Sequence, residues 1–547
     1  MDKKVKINFN IVAVICILIF SAVLAPITLQ NDTFYTIKIG EHILENGIDM
    51  HDPFSIHDLP YTYPHWLYDI SIYLVYSLGG MLGVYISTVV LSCILGITMY
   101  FVNKKIVKND LVSFLLTLGA MYALGGFIAA RAQLFTYILF TLQIFFIEKF
   151  IETKKKRYAI GLIIIPTIIA NVHLAVWPFY FVPFLPYIAE YLIALILDSH
   201  LIYKIGTKYR KDKINKLSKK QGNEEKIATL EKINKTREEQ FEQYKEKQAY
   251  RIENPYKIKI VKKDNVKWLI LIAVICLFTG LLTPLGDTPY TYLIKTMQGN
   301  TTQSINEHLP MVLIQSTHTL VILVIALSIL IFTDTKIRLK DFFMLGGLII
   351  LALMSRRQLS MLIILGIYSI NRLITDLFNK YDPEGTEKFM KIISEGFGRV
   401  ITILLVVLFS VLIYREQRTT DYIDTDTYPV EAAKYIKENL NLNDIRLYNE
   451  YNYGSYLLYE GIPVFIDSRA DLYTPEFNGD EDKDIFTDFI KVSSLSVHYE
   501  DIFDKYDITH LIMPVNAKMN LFISKDDNYK ELYKDDNFVI YERLNKE

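Results

Sequence analysis

The sequence predicts an α-helical polytopic membrane protein with about eleven transmembrane helices, in a range of roughly 10–13, and a C-terminal extracytoplasmic α/β domain. Three observations carry this. Of the 547 residues, 51% are apolar, and the mean hydropathy is positive. Apolar runs of roughly 20 residues, enough to cross a hydrocarbon core, recur as far as about residue 414. From about Arg415 the chain turns acidic, and helix-like and strand-like segments alternate, the pattern of a small α/β domain. The net charge of -1 averages regions of opposite sign and excludes nothing. Cys16, Cys93 and Cys276 lie inside apolar runs, which argues against a disulfide framework. Nucleic acid is not an expected partner; the bilayer is.

The expected domains are an N-terminal transmembrane module (1–198), a basic cytoplasmic helical insertion (199–266), C-terminal transmembrane helices (267–414) and the soluble domain (415–547). Lysines in MDKKVK put the N-terminus in the cytoplasm. No small-residue cleavage site follows the first apolar run, so the span at about 11–28 is read as retained. The loop after it, 29–66, is then outside. Between Asn31 and Trp66 it holds Asp32, Glu41, Glu45, Asp49, Asp52, Asp58 and four histidines, and loops of this length are usually functional. Thr33 to Asn46 reads as a short helix capped by Asn31 or Asp32 and ended by Gly47. Its Ile37, Ile39, Ile43 and Leu44 oppose Lys38, Glu41, His42 and Glu45, the pattern of a helix lying in the membrane surface.

Residues 66–102 read as one span, or as two short ones hinged at Gly79-Gly80. The basic 103–108 segment favours a shallow 66–79 and a crossing at 82–102. Further spans are expected at 111–128, 133–151, 158–175 and 177–198. From Lys204 to Lys267 there are 20 Lys+Arg against 10 Asp+Glu. Glu and Lys there recur at helical spacing, which predicts a solvated helical hairpin or short coiled coil. Its basic surface is read either as resting on lipid headgroups or as docking a partner. Spans at 268–284, 312–333, 341–354, 358–376 and 399–414 follow, and an odd total leaves the C-terminus outside. In the last domain, helices are expected at 429–439 and 499–506, with strands at 445–448, 461–466, 510–513 and 538–542.

Asp32, at the mouth of the first span, is the leading candidate for a general base, because apolar surroundings disfavour a carboxylate and move it toward a working pKa. The alternative is a helix N-cap. Asp52 is the second catalytic candidate, against the alternative that Asp52-Pro53 opens a turn. Arg131, Gln133, Asn171, His173, Glu307, Arg356 and Arg357 fall at the outer ends of other spans. Such arginines suit a phosphate group on a lipid carrier; the alternative is interfacial snorkelling. In the outer domain, Asp467, Arg469 and Asp471 follow a buried-looking strand, either as ligand groups or as an Arg–Asp network fixing the loop. No metal-ligand spacing stands out. No cofactor is expected, with a divalent metal as the lesser alternative. No Walker loop, dinucleotide fingerprint or nucleophile elbow is present.

Several short motifs occur in a telling order: Asp32-Thr33, Gly47, Asp52-Pro53-Phe54-Ser55, Pro64-His65-Trp66-Leu67, Arg131-Ala132-Gln133, Ala170-Asn171-Val172-His173 and Glu307-His308-Leu309-Pro310. With them the chain resembles the GT-C superfamily of polytopic glycosyltransferases, in the bacterial branch related to protein O-mannosyltransferases and aminoarabinose transferases. The resemblance implies a polyprenyl-phosphate-linked sugar donor and an acidic residue in the first outer loop that serves as catalytic base, a role that falls on Asp32. It implies transfer to an envelope glycan, lipid or protein at the outer face of a bacterial plasma membrane. Two alternatives share the fold: a non-catalytic scaffold in envelope assembly, and a polymerase or ligase of lipid-linked glycans. A transporter is disfavoured, because no half-to-half repeat is visible.

Overall fold

The structure, a computed structural model, describes residues 3–219, 222–312, 317–416 and 421–544. The expected segments 199–266, 312–333 and 415–547 therefore each include a few residues outside the described ones. Among the described residues, seven helical segments are long and apolar enough to cross a membrane: Val5–Val23, Trp66–Val107, Asp110–Phe127, Ala132–Thr153, Leu174–Ser199, Arg356–Tyr381 and Gly396–Arg415. Val266–Leu281 and Thr319–Phe332 are apolar but shorter.

Helix α1 (Lys3–Val23) starts ahead of the expected 11–28 and stops short of its end. After it comes α2 (Asn31–Asn46), whose N-cap is Gln30, with no side-chain capping bond. The capping role expected of Asn31 or Asp32 is thus corrected, since both lie inside the first turn. Gly47 ends the helix at φ +81°, a backbone angle that favours glycine. The membrane-surface reading of α2 is also corrected. Ile37, Ile39 and Ile43 are buried, but so are Phe34, Tyr35 and Gly40 on other faces, while Leu44 is exposed. What covers α2 is protein.

A short antiparallel pair, β1 (His51–Asp52) with β2 (Leu59–Pro60), shapes the rest of the first loop. Then α3 (Trp66–Val107) runs for 42 residues. At about 1.5 Å per residue that is roughly twice a bilayer core. The run is broken at Gly80 (φ 59°, ψ -151°), so a shorter rod lies against α2 and a longer one crosses. Helices α4 (Asp110–Leu124), α5 (Ala132–Thr153) and α6 (Lys156–Val172) follow. A 3₁₀ stretch, Leu174–Phe184, contains Pro178 and Pro183 and leads into α7 (Leu185–Ser199); proline removes backbone donors and breaks regular helix there.

The insertion is a helical hairpin of α8 (Leu201–Leu217) and α9 (Glu224–Glu253). Beyond it, β3 (Ile258–Lys259) pairs in parallel with β4 (Ile337–Arg338). Between these two strands come α10 (Val266–Cys276), α11 (Thr288–Gln298), α12 (Thr301–Ser304) and α13 (Thr317–Phe332). The membrane part ends with α14 (Leu339–Met354), α15 (Leu359–Tyr381), α16 (Gly385–Ser394) and α17 (Gly396–Arg415). Away from the first loop, Glu148 of α5 accepts hydrogen bonds from Arg372 (2.6 Å), Tyr187 (2.7 Å) and Lys340. Arg372 also donates to Asp341 at 2.5 Å. This buried set of two acids and two bases joins α5, α7, α14 and α15, and each charge has a partner, as burial requires.

The last domain runs α18 (Val430–Asn439), β5 (Leu447–Tyr448), α19 (Tyr451–Tyr459), α20 (Pro475–Asn478), α21 (Ile485–Ser493), α22 (Tyr499–Lys505), β6 (His510–Pro514), β7 (Tyr529–Lys534) and β8 (Phe538–Arg543). The sheet order is β5-β6-β8-β7, with β5 parallel to β6 and the other pairs antiparallel. Strand β7 was not expected from the sequence. It is an edge strand, largely exposed and carrying Lys530, Glu531 and Lys534, so no apolar alternation marks it.

The strand expected at 461–466 is not in this sheet. Val464 instead bridges Ser55 of the first loop, with Val464 N–H donating to the Phe54 carbonyl (3.1 Å) and Ile56 N–H to the Val464 carbonyl (3.0 Å). The next groups are taken by side chains. Phe465 N–H donates to Asn449 Oδ1 (2.8 Å), and Asn449 Nδ2 donates to the Ile466 carbonyl (2.7 Å). One apolar core runs without interruption from Phe34, Tyr61 and Tyr63 into Tyr456, Val464, Phe503 and Ile540.

Candidate active site

Five separate segments converge on one small cavity of about 40 Å³. From α2 come Asp32, Tyr35 and Thr36, which share a face because three and four residues make one helical turn. The N-terminal end of α3 gives His65 and Tyr68, and the start of α5 gives Arg131, Ala132 and Gln133. His173, at the break between α6 and the 3₁₀ stretch, and Arg357, just after α14, complete the lining. Thr33 Oγ1 donates to the Ala130 carbonyl at 3.2 Å. That bond fixes the register between α2 and the residue before Arg131.

Asp32 Oδ2 lies 3.0 Å from an Arg131 Nη, and the other Nη of Arg131 is 3.4 Å from Glu307 Oε1. Burial pushes the Arg131 guanidinium down, but Asp32 and Glu307 outweigh it and hold it above its ordinary value. Burial likewise pushes the Glu307 carboxyl up, and Arg131 with Arg357 more than reverses this. Glu307 does not line the cavity; its segment is stitched to the Arg356-Arg357 turn. Arg357 N–H donates to the Glu307 carbonyl and Arg356 N–H to the Leu309 carbonyl, both at 3.0 Å.

Among the described residues no ion-pair partner faces the Arg357 guanidinium. His65 and His173 stand beside it with ring centroids 5.0 Å apart. Burial, and then the nearby positive charges, drives the His65 imidazole down to about 3. Burial holds His173 well below its ordinary value too, with His65, Arg357 and Arg131 adding to the effect. Both rings are therefore neutral at pH 7. Such a cavity combines one carboxylate, one guanidinium with no ion pair of its own within 4.0 Å among the described residues, and two neutral imidazoles.

Other expected site residues lie elsewhere. Asn171 is structural here, accepting from Trp66 Nε1 (3.2 Å) and donating to the Leu282 carbonyl (2.9 Å). Arg356 donates through Nε to the Pro310 carbonyl at 3.3 Å and does not line the cavity. Asp52, expected as a second catalytic acid, is fully buried in an ion network with Arg469 (2.6 Å). The same guanidinium holds Asp467 through two bonds, 2.9 and 2.6 Å, and lies over the rings of Tyr61 and Phe54. Burial raises the Asp52 carboxyl, yet Arg469 and hydrogen bonding with Ser55 bring it below the usual carboxylate range. The Asp52–Arg469–Asp467 set thus clamps the first loop to the C-terminal domain, and with both carboxylates engaged it offers nothing to a substrate. Asp471 accepts from Tyr292 (2.9 Å), Thr296 (3.3 Å) and Thr301 (3.2 Å), tying α11 and α12 to the same domain.

Tyr35, Thr36, His65 and Tyr68 are cavity residues that the sequence reading left out of the site. For Tyr35 and Thr36 a signal existed, since they lie one helical turn beyond Asp32. Among the described residues no cluster of three or more His, Cys, Asp or Glu side chains is gathered to hold a metal ion.

No known protein family and no curated protein matches the chain. Solved structures do. The archaeal oligosaccharyltransferase AglB from Archaeoglobus fulgidus, in complex with an inhibitory peptide and a dolichol-phosphate, superposes with a TM-score of 0.55 at 10% identity, over 97% of this chain and 74% of AglB. The fold is GT-C. ArnT from Cupriavidus metallidurans, bound to undecaprenyl phosphate, is also similar, with a TM-score of 0.49 at 10% identity over 98% of this chain and 97% of ArnT. In this chain the convergent cavity lies at the end of the helix bundle covered by the C-terminal domain, where α2 meets the starts of α3 and α5.

Proposed function

We propose that this protein is a membrane glycosyltransferase that moves a sugar from a polyprenyl-phosphate-linked donor to an acceptor hydroxyl at the outer face of the plasma membrane. The observation that carries the reading is that Asp32 and Arg357, which has no ion pair of its own among the described residues, line one cavity. The acceptor oxygen attacks the anomeric carbon, its proton passes to the Asp32 carboxylate, and the bond from the anomeric carbon to the phosphate oxygen breaks. The negative charge that develops on the leaving lipid phosphate is met by Arg357 and by N–H groups of His65 and His173. Arg131 holds Asp32 in place. Lysines at the N-terminus and at Lys154–Lys156 support reading the opposite end of the bundle as cytoplasmic, and the AglB complex with a dolichol-phosphate supports the lipid class.

The test is transfer of radiolabelled sugar from polyprenyl-phosphate donors by purified protein. Asp32→Asn is expected to lower the rate by about 10²–10⁴-fold, the usual share of general base catalysis. Undiminished transfer by a folded Asp32→Asn protein overturns the base assignment. Silence of the wild type with every donor overturns the enzyme reading in favour of a scaffold.

A further inference from the structure

The α8–α9 hairpin plays no part in the cavity, and its charge is unevenly divided. Helix α8 carries six cations (Lys204, Lys208, Arg210, Lys211, Lys213, Lys216) against Asp212 alone. Helix α9 is nearly balanced, with seven Lys and Arg against eight Glu. The segment 254–267, which returns to the membrane helices, has five lysines against Asp264. Apart from Lys219 and Lys220, which stand between α8 and α9 in the sequence, the excess charge therefore belongs to the two segments adjoining the apolar helices α7 and α10.

Only one face of α8 is used by its neighbour. Tyr203 stacks on Phe241 at 4.0 Å, and Arg210 Nε donates to Asn234 at 2.5 Å. The opposite face holds Ile205 (57% exposed) and Tyr209 (66% exposed), one turn apart, flanked by exposed Lys204, Lys208, Lys213 and Lys216. This helix begins directly after α7, with the chain turning at His200 (φ 48°). At the other end of the hairpin base, Gln248 Nε2 donates to the Leu197 carbonyl at 3.0 Å, which keeps the hairpin against the end of α7.

We propose that α8 is a binding surface for anionic phospholipid headgroups of the leaflet in which α7 ends. Ile205 and Tyr209 enter the headgroup boundary, while the flanking lysines extend to the phosphates. Balanced charge excludes α9 from this role and leaves it in water. The occupant follows from three features together: charge that is positive at six positions against Asp212 alone, an apolar centre within it, and direct continuity with a membrane-length helix. A polybasic segment next to a span is attracted to an anionic leaflet in this way.

The test is amide hydrogen exchange on the full chain in lipid nanodiscs, of pure phosphatidylcholine or with phosphatidylglycerol added. Exchange across 201–217 is expected to slow about tenfold with the anionic lipid and to recover in high salt, while 224–253 stays unchanged. Lys204→Gln, Lys208→Gln, Lys213→Gln and Lys216→Gln combined should abolish the slowing and leave the exchange of α9 as it was. Equal exchange in both lipids, or slowing by inorganic phosphate alone, overturns the proposal. So does equal slowing along α9, which would mark a docked protein.

Discussion

Arg469 is the residue on which the joint between the first loop and the C-terminal domain depends. It is buried among two carboxylates and two aromatic rings, so its removal would leave Asp52 and Asp467 without their counter-charge. Arg469→Met is expected to cost about 3–5 kcal/mol, as for other broken buried pairs, measurable as a fall in Tm of the purified protein. Acid acts on the same clamp. The folded Asp52 carboxyl lies below the ordinary 3.8, so its contribution is complete at neutral pH and begins to drain as pH falls past that ordinary value. It is gone once the pH passes the lower folded one. Thermal scans from pH 7 to pH 3 should show this loss in the wild type. At the cavity, Arg357→Ala should raise KM for the lipid donor by about tenfold or more, the loss of one charge-assisted bond, with Arg357→Lys recovering part of it. An unchanged KM would take Arg357 out of phosphate binding.

Among the elements, close helix approach at two glycines sets the geometry. A Cβ on Gly40 of α2 would lie 2.0 Å from the Asp69 carbonyl oxygen of α3, and one on Gly454 of α19 would lie 2.0 Å from the Ile466 carbonyl oxygen. Neither neighbour is a flexible side-chain end, so backbone must shift. Gly40→Ala moves the helix that carries Asp32, and is expected to cost about 1–3 kcal/mol in stability and to reduce transfer as well. Gly454→Ala should cost a similar amount in stability, because it pushes α19 off the segment that holds Arg469. Two alanine variants with wild-type Tm values would contradict this account of α2 and α19.

Over the whole molecule, the membrane part and the C-terminal domain share one core. Phe34 of α2 packs edge-on against Tyr428 and Tyr456, with centroids 5.0 and 5.2 Å apart. Val464 and Phe465 complete the hydrogen bonding of the first loop, His57 facing the Phe465 carbonyl at 2.8 Å. A chain truncated after Arg415 should therefore expose this apolar surface. It is expected to aggregate or to be cut by protease within 31–66, whereas a separable acceptor-binding module would leave a stable membrane part. Size-exclusion chromatography and limited proteolysis distinguish the two.

Local chemistry decided much of this protein. Apolar runs of membrane length fixed most of the helices, Gly80 and Gly47 fixed where two of them bend or end, and the Glu and Lys spacing fixed the α8–α9 hairpin. Asp32, Arg131, Gln133, His173 and Arg357 were each legible as polar groups at the end of an apolar run, where burial makes ionisable groups expensive. Which of those groups meet was settled only by the tertiary structure, because the five cavity segments are far apart in sequence. Asp52 illustrates the difference. Beside Asp32 in the same loop it looked like an equal candidate, but its partner Arg469 lies 417 residues away, and no local pattern encodes that contact. The strand expected at 461–466 failed for the same reason. Its apolar run correctly signalled burial, but the hydrogen-bond partners of an extended segment come from whatever packs beside it, and here that was the first loop.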